Sequence, residues 1–108
     1  MVLGMATSQN SVSAPIDMHF GRCSWFCVYD TGTGEVGFVK NTFTSSNDSA
    51  GVQVVEMLEK LGVTVVVAGR FGNRVVDMLK GKGIQLIVVS KEKSVEDIIN
   101  RTKQSKEL

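Results

Sequence analysis

The chain has 108 residues, of which 43% are hydrophobic and 21% are charged, and its formal net charge is +1. A chain of this length suits one domain, which we expect to span residues 1–108 with its core at about 1–100, and the composition argues against disorder. The near-neutral charge excludes a strong field that would attract nucleic acid or an anionic membrane, so any anion-binding site must be local.

The sequence also argues against membrane insertion and secretion. Its longest apolar run, Val63–Ala68, is far too short to span a bilayer. The N-terminus has apolar residues, but no basic region precedes them and no plausible cleavage site follows, so we expect no signal peptide and a cytoplasmic location. Two cysteines in a chain with its own core do not indicate a disulfide scaffold.

The first half of the chain is predicted to form three strands. Val2–Thr7 is a short apolar run that fits a buried strand, and the polar stretch Ser8–Pro15 after it is typical of a loop. Cys23–Asp30 is rich in aromatic and β-branched residues, and a glycine-containing turn joins it to Glu35–Lys40, so these two strands are predicted to form a hairpin. The polar segment Asn41–Ser49 is expected to cross from this hairpin to a helix.

The second half alternates helices and strands. Ala50–Leu61 carries apolar residues at helical spacing and precedes Gly62, which suits a left-handed helix end. Val63–Ala68 is almost wholly apolar, which is typical of a parallel strand covered on both faces, and Ile84–Val89 is another continuous apolar strand. Between these strands, Arg74–Lys80 is predicted to be a short helix that stops at the glycine following it.

A last helix is predicted near the C-terminus. Ser94 is expected to cap it, with Asp97 completing a short version of the capping box. We expect the tail Arg101–Leu108 to fray because it is charged. The packing stripe of the helix is expected to be Val95, Ile98 and Ile99.

The element order β-β-β-α-β-α-β-α predicts an α/β fold with a mixed five-stranded sheet. Its N-terminal strands would be antiparallel, parallel βαβ units would follow, and the helices would cover its faces. This order resembles that of ribonuclease H-like folds, but Val2–Thr7 lacks the carboxylates that metal-dependent nucleases need on the first strand. Ligands of such sheets bind at the carboxyl ends of strands where the strand order reverses, which is where Gly69–Gly72 should lie.

Two stretches of the sequence are alike. Asp17–Arg22 and Ala68–Arg74 each place a phenylalanine and a glycine beside an arginine at the border of an apolar run. We expect these two loops to face each other across one end of the sheet and to form a cationic pocket.

The second of these loops has the features of an anion site. Gly69 and Gly72 would let the backbone approach a ligand, and the turn through Asn73 would present free N–H groups at the start of a helix. Arg70 and Arg74 would add charge-assisted hydrogen bonds. The alternative is a tight turn whose arginines are merely solvated, since a single Gly-x-x-Gly motif is weak evidence.

The first loop contains the only histidine, His19. Its neutral imidazole suits iron and similar metals, Gly21 beside Phe20 would give access, and Arg22 would favour an anionic ligand. One histidine cannot build a four-ligand site, so any metal bound here would have to arrive largely pre-assembled. The alternative is an ordinary surface histidine.

The two cysteines are predicted to differ. Cys23 lies at the loop end of its strand and is a candidate to join His19 as a metal ligand. Cys27 would lie about 13 Å farther along the strand at ~3.3 Å per residue, too far to share an ion, and is expected to be a small buried hydrophobe. We find no nucleophile paired with a base, so we do not expect an enzyme.

Four stretches of the sequence form a pattern when they are taken in order. The most specific is Pro15–Arg22, which is followed by an aromatic strand ending in Val28-Tyr29-Asp30. The other three, which carry weight only in this order, are Val52–Val63, Val66–Asn73 and Leu79–Ile84. With this pattern the chain resembles the dinitrogenase iron–molybdenum cofactor biosynthesis family over about residues 1–90. The chain departs from the family pattern in carrying Cys23 in place of a small apolar residue.

The resemblance implies a ribonuclease H-like fold and a non-catalytic binding role. Family members hold the iron–molybdenum cofactor or its iron–sulfur precursor and pass it between assembly proteins. Such clusters are anionic and need few protein ligands, which suits the pocket expected from the residues. The protein would therefore bind an iron–molybdenum cofactor or iron–sulfur cluster, meet cluster-donor and cluster-acceptor proteins, and be a monomer or weak homodimer.

Two other functions stay open. A regulatory or interaction module with a vestigial pocket would contact a partner through Trp25, Phe43 or the edge of the sheet. A binder of phosphorylated metabolites would use the Gly69–Asn73 loop alone.

Overall fold

The computed structural model of the chain describes residues 1–43, 50–90 and 93–105. These residues form five strands and three helices in the predicted order. Their bounds are β1 Val2–Thr7, β2 Trp25–Asp30, β3 Val36–Lys40, α1 Ala50–Lys60, β4 Val65–Ala68, α2 Asn73–Lys82, β5 Gln85–Val88 and α3 Val95–Ser105.

The strands form one mixed sheet in the order β3-β2-β1-β4-β5. The pairs β1–β2 and β2–β3 are antiparallel, whereas β1–β4 and β4–β5 are parallel. The mixed five-stranded sheet predicted from the sequence is therefore confirmed. β1 lies at its centre, where Met5 is paired with Cys27 on one side and Val67 on the other.

The core has one layer on each face of the sheet. Helices α1 and α2 cover one face with residues such as Val54, Leu58 and Leu79, and α3 covers the other with its predicted stripe. β4 is buried along its whole length, as its continuous apolar sequence predicted. Because β1 and β4 are adjacent and parallel, their carboxyl ends lie side by side at one end of the sheet.

Several element boundaries differ from the prediction. β2 begins at Trp25 and not at Cys23, because residues 23 and 24 belong to the preceding loop. α2 passes through Gly81 to Lys82 and ends at Gly83, whose φ of 70° allows its N–H to bond the carbonyls of Leu79 and Lys80.

The predicted fraying of the C-terminal tail is wrong for its first residues. α3 continues to Ser105. Ile98 and Ile99 anchor the helix against the sheet, and Lys103 in its last turn complements the helix dipole. The rest of the predicted tail, residues 106–108, and most of the predicted crossing segment, residues 44–49, fall outside the described residues. Of the helices within the described ranges, none is long and apolar enough to cross a membrane.

Candidate functional site

The two similar loops meet at the carboxyl ends of β1 and β4. The Asp17 N–H donates to the Ala6 carbonyl at 2.8 Å, and the Gly69 N–H donates to the Asp17 carbonyl at 2.9 Å. Two residues farther along the first loop, His19 forms a parallel β-bridge with Arg70. The first loop therefore lies between the ends of the two strands and is bonded to both.

Asp17 also shapes its own loop. Its Oδ1 accepts a hydrogen bond of 2.8 Å from the His19 N–H, which is the pattern of an Asx turn. The imidazole of His19 is exposed to solvent, so the backbone of His19 makes the structural contacts while its side chain stays available.

Gly69 allows the loops to approach each other. A Cβ built on it would lie 2.7 Å from the Met18 Cα and would overlap the Met18 side chain as well. Gly69 is buried beneath Met18 and does not line the pocket described below, although the sequence placed it in the ligand site. A glycine at position 69 is therefore needed for the close contact between the two loops.

Three phenylalanines pack behind this contact. The Phe20 ring lies 5.5 Å from the Phe26 ring in an edge-on arrangement and 5.0 Å from the Phe71 ring, measured between centroids. Phe20 is buried in the core, and Phe71 belongs to the second loop. Aromatic pairs in this geometry attract each other beyond their area of contact, so the rings hold the two loops together.

A pocket of about 520 Å³ opens between the loops and the starts of α1 and α2. Of the residues that the sequence proposed for ligand binding, eight line it: His19, Phe20, Gly21, Arg22, Arg70, Gly72, Asn73 and Arg74. The sequence interpretation missed three further lining residues: Gly51, Val52 and Val75.

The sequence did not indicate that α1 lines the pocket, and Gly51 shows the reason. A Cβ built on Gly51 would overlap the Val75 side chain, so the two helices approach closely at their first turns. A glycine near the start of a helix gives no sequence signal for such a contact. Only the fold brings α1 to the pocket.

The lining of the pocket is cationic. It includes three guanidinium groups and one imidazole, those of Arg22, Arg70, Arg74 and His19. No carboxylate is among its described lining residues. Guanidinium groups donate hydrogen bonds in a fixed fork that suits anions. The charge around the pocket therefore favours a negatively charged ligand.

The start of α2 adds to this preference. Gly72, its N-cap, has no side chain to bond the free backbone N–H groups of the first turn, and neither α1 nor α2 has an acidic residue there. α3 differs, because Ser94 and Asp97 cap it reciprocally at 2.9 and 3.1 Å, as predicted. Within the part of the chain that the structure describes, no side chain caps the start of α2, so its N–H groups can face an anion in the pocket.

The side chain of Asn41 fixes the backbone at the end of the first loop. Its Nδ2 donates to the carbonyls of Gly21 at 3.1 Å and Cys23 at 2.8 Å, and its Oδ1 accepts from the Phe43 N–H at 3.0 Å. The residue is buried. The sequence interpretation assigned Asn41 only to a polar connection, because an asparagine after a strand is typical of a turn.

The structure places Cys23 in the core and not in the pocket. Its side chain is 1% exposed, and its Sγ–H donates to the Phe20 carbonyl at 3.4 Å. Burial, assisted by the charge of Asp17, raises the pKa of the Cys23 thiol to about 12. Cys23 is therefore not among the residues that line the pocket beside His19, where the sequence had placed it as a candidate metal ligand. Cys27 is buried, as predicted.

The donor set suits a cluster better than a bare metal ion. Among the described residues, no group of three or more histidine, cysteine, aspartate or glutamate side chains could hold an ion. The pocket instead combines one imidazole with three guanidinium groups. It could therefore supply one metal ligand and several hydrogen bonds to an anion that brings its remaining ligands with it.

Two solved structures share this fold. The apo form of the orange protein from Desulfovibrio gigas has a TM-score of 0.88 at 22% identity, and the match covers 94% of this chain and 86% of that one. A NifB-like protein from Thermotoga has a TM-score of 0.81 at 24% identity, and the match covers 96% of this chain and 88% of the other. At these identities, the likeness establishes a common fold.

Sequence comparison goes further than the fold. No curated protein matches the chain. Residues 1–105, however, match the sequence profile of the family described as dinitrogenase iron-molybdenum cofactor. The match spans both pocket loops and all the elements that position them. The chain therefore belongs to the dinitrogenase iron-molybdenum cofactor family.

Proposed function

We propose that the protein binds a pre-assembled, anionic metal cluster and carries it between the proteins that make and receive it, without catalysing a reaction. The cluster would be an iron–molybdenum cofactor or an iron–sulfur cluster. The observation that carries this proposal is the convergence of His19 with three arginines and the uncapped start of α2 in one pocket.

Each part of the pocket has a role in this proposal. The imidazole of His19 would bind one metal of the cluster, since neutral imidazole is a good ligand for iron. Arg22, Arg70 and Arg74 would donate hydrogen bonds to its anionic sulfur or oxygen atoms. The N–H groups at the start of α2 would add to the positive potential.

Exposure of the site fits a carrier. His19 and the three arginines are solvent-exposed side chains on loops and a helix start, so a cluster could enter and leave without opening the core. One protein ligand also makes transfer to a protein with more ligands favourable. We therefore expect the partners to be cluster-donor and cluster-acceptor assembly proteins, and the protein itself to be a cytoplasmic monomer or weak homodimer.

We also propose that the whole chain is a single domain with a ribonuclease H-like fold. The element order β-β-β-α-β-α-β-α and the strand order β3-β2-β1-β4-β5 support this assignment. The family match over residues 1–105 agrees with one continuous unit.

An anaerobic titration tests the function. The protein would be mixed with a thiolate-ligated four-iron four-sulfur cluster, and the absorption of the cluster would be followed after gel filtration. We expect one cluster to elute with each protein chain and to remain bound in excess inorganic phosphate. Elution of the cluster apart from the protein would overturn the proposal, and displacement by phosphate would favour a binder of phosphorylated metabolites.

A further inference from the structure

We propose that Asn41 is a positioning residue that sets the direction of Arg22 into the pocket. This inference rests on the proposed function, because it assigns Asn41 a role in anion binding through Arg22. Asn41 does not line the pocket and would not touch the ligand.

The hydrogen bonds of Asn41 enclose Arg22 on both sides. Its amide nitrogen donates to the carbonyl of Gly21 at 3.1 Å and to that of Cys23 at 2.8 Å, the residues immediately before and after Arg22. Both carbonyls therefore point toward Asn41. Because they belong to the residues flanking Arg22, the backbone on either side of Arg22 is held in one orientation.

Gly21 makes this restraint necessary. Glycine has the widest choice of backbone conformations, so the chain before Arg22 would otherwise adopt many orientations. Fixing the backbone from which a cationic side chain enters the pocket reduces the conformations that must be lost on binding, and so lowers the entropy cost.

Asn41 is itself well fixed. It is 3% exposed, it directly follows β3, and its Oδ1 accepts the Phe43 N–H at 3.0 Å. Both hydrogens of its amide and its carbonyl oxygen thus have partners. An aspartate of the same shape would keep the bond to Phe43 but would present oxygen to two carbonyl oxygens, so the amide is needed for its donors.

The test is a pair of double-mutant cycles on cluster binding, using the four-iron four-sulfur cluster as the probe. We expect Asn41→Ala to weaken binding by about tenfold, comparable with the loss of one hydrogen bond to a charged group. In an Arg22→Ala background, Asn41→Ala should have almost no further effect, because its action passes through Arg22. In an Arg74→Ala background, it should still weaken binding by the same factor.

A purely structural role would lower affinity equally in both backgrounds, which would overturn the inference. Asn100→Ala, an exposed asparagine on α3, is the matched control and should not change affinity. If Asn41→Ala does not fold, Asn41→Ser retains one donor and is tested in the same cycles. Absence of binding by the unaltered protein would overturn the proposed function together with this inference, whereas binding with additive effects of Asn41→Ala and Arg22→Ala would overturn this inference alone.

Discussion

His19 and Arg70 are paired as a parallel β-bridge, although they are far apart in the sequence. The bridge brings the backbone of the only histidine beside that of Arg70 at the carboxyl ends of β1 and β4, and both residues line the pocket. Because backbone atoms form the bridge, both side chains remain available for a ligand. The site thus depends on the contact between two loops.

Arg74→Ala should weaken cluster binding without unfolding the protein. The arginine is exposed at the start of α2 and lines the pocket, so its loss would remove the hydrogen bond that we propose it donates to the charged ligand. Such a bond contributes about 1.5–3 kcal/mol, so we expect affinity to fall at least about tenfold. Arg101→Ala, which removes an exposed arginine outside this pocket, is the control. Equal affinity of the two variants in an anaerobic titration would show that Arg74 does not contact the cluster.

Two glycine-to-alanine substitutions should have opposite effects on stability. Gly69→Ala should destabilise the protein by about 1–3 kcal/mol, because its Cβ would overlap Met18 and force the loops apart. Gly81→Ala should stabilise it by up to about 1 kcal/mol, because this helical position has open space around it and alanine favours the helix. Urea unfolding measures both. A neutral Gly69→Ala variant would contradict the close packing of the two loops.

Stability should fall in alkaline solution because of the buried thiols. Burial raises the pKa of Cys23 from 9.0 to about 12 and that of Cys27 from 9.0 to about 11. Between pH 9.0 and the raised pKa values, the thiols of the unfolded chain lose protons that the thiols of the folded protein keep. The free energy of unfolding therefore decreases as the pH rises through this range. Below about pH 9 the thiols are protonated in both states, and their contribution to the free energy of unfolding is fully present.

The measurement is urea unfolding at increasing alkaline pH for the unaltered protein and for Cys23→Ala. The variant should lose stability less steeply with pH, because it lacks one of the two raised pKa values. Parallel curves would contradict the assignment to Cys23.

The sequence predicted the sheet well because its apolar runs and its glycine positions indicate the same elements. β1 was predicted with its observed bounds, and β4 was recognised as a strand covered on both faces from its run of valines. Gly62 was predicted to end α1 in a left-handed conformation, and its φ of 82° confirms this. These features follow from periodicity and from the conformational range of glycine.

The pocket was only partly predictable. Its two loops were recognised because each concentrates glycine, phenylalanine and arginine in a few residues. Gly51 and Asn41 were missed, because their roles depend on contacts with residues distant in sequence. Cys23 was placed at the pocket from its position next to the loop, but its side chain points into the core.

Cluster binding through His19 is tested by an anaerobic titration of His19→Ala with the four-iron four-sulfur cluster. The fold should be unaffected, because the imidazole is exposed and the contacts of His19 to Asp17 and Arg70 involve its backbone. Mutation of a residue that only orients a metal ligand typically lowers metal affinity about 10–100-fold. Removal of His19, the proposed ligand itself, should therefore lower the affinity for the cluster at least about tenfold. Gln85→Ala, an exposed change on β5, is the control. We expect His19→Ala to bind the cluster weakly at an unchanged melting temperature, and binding equal to that of the unaltered protein would show that His19 does not bind the cluster.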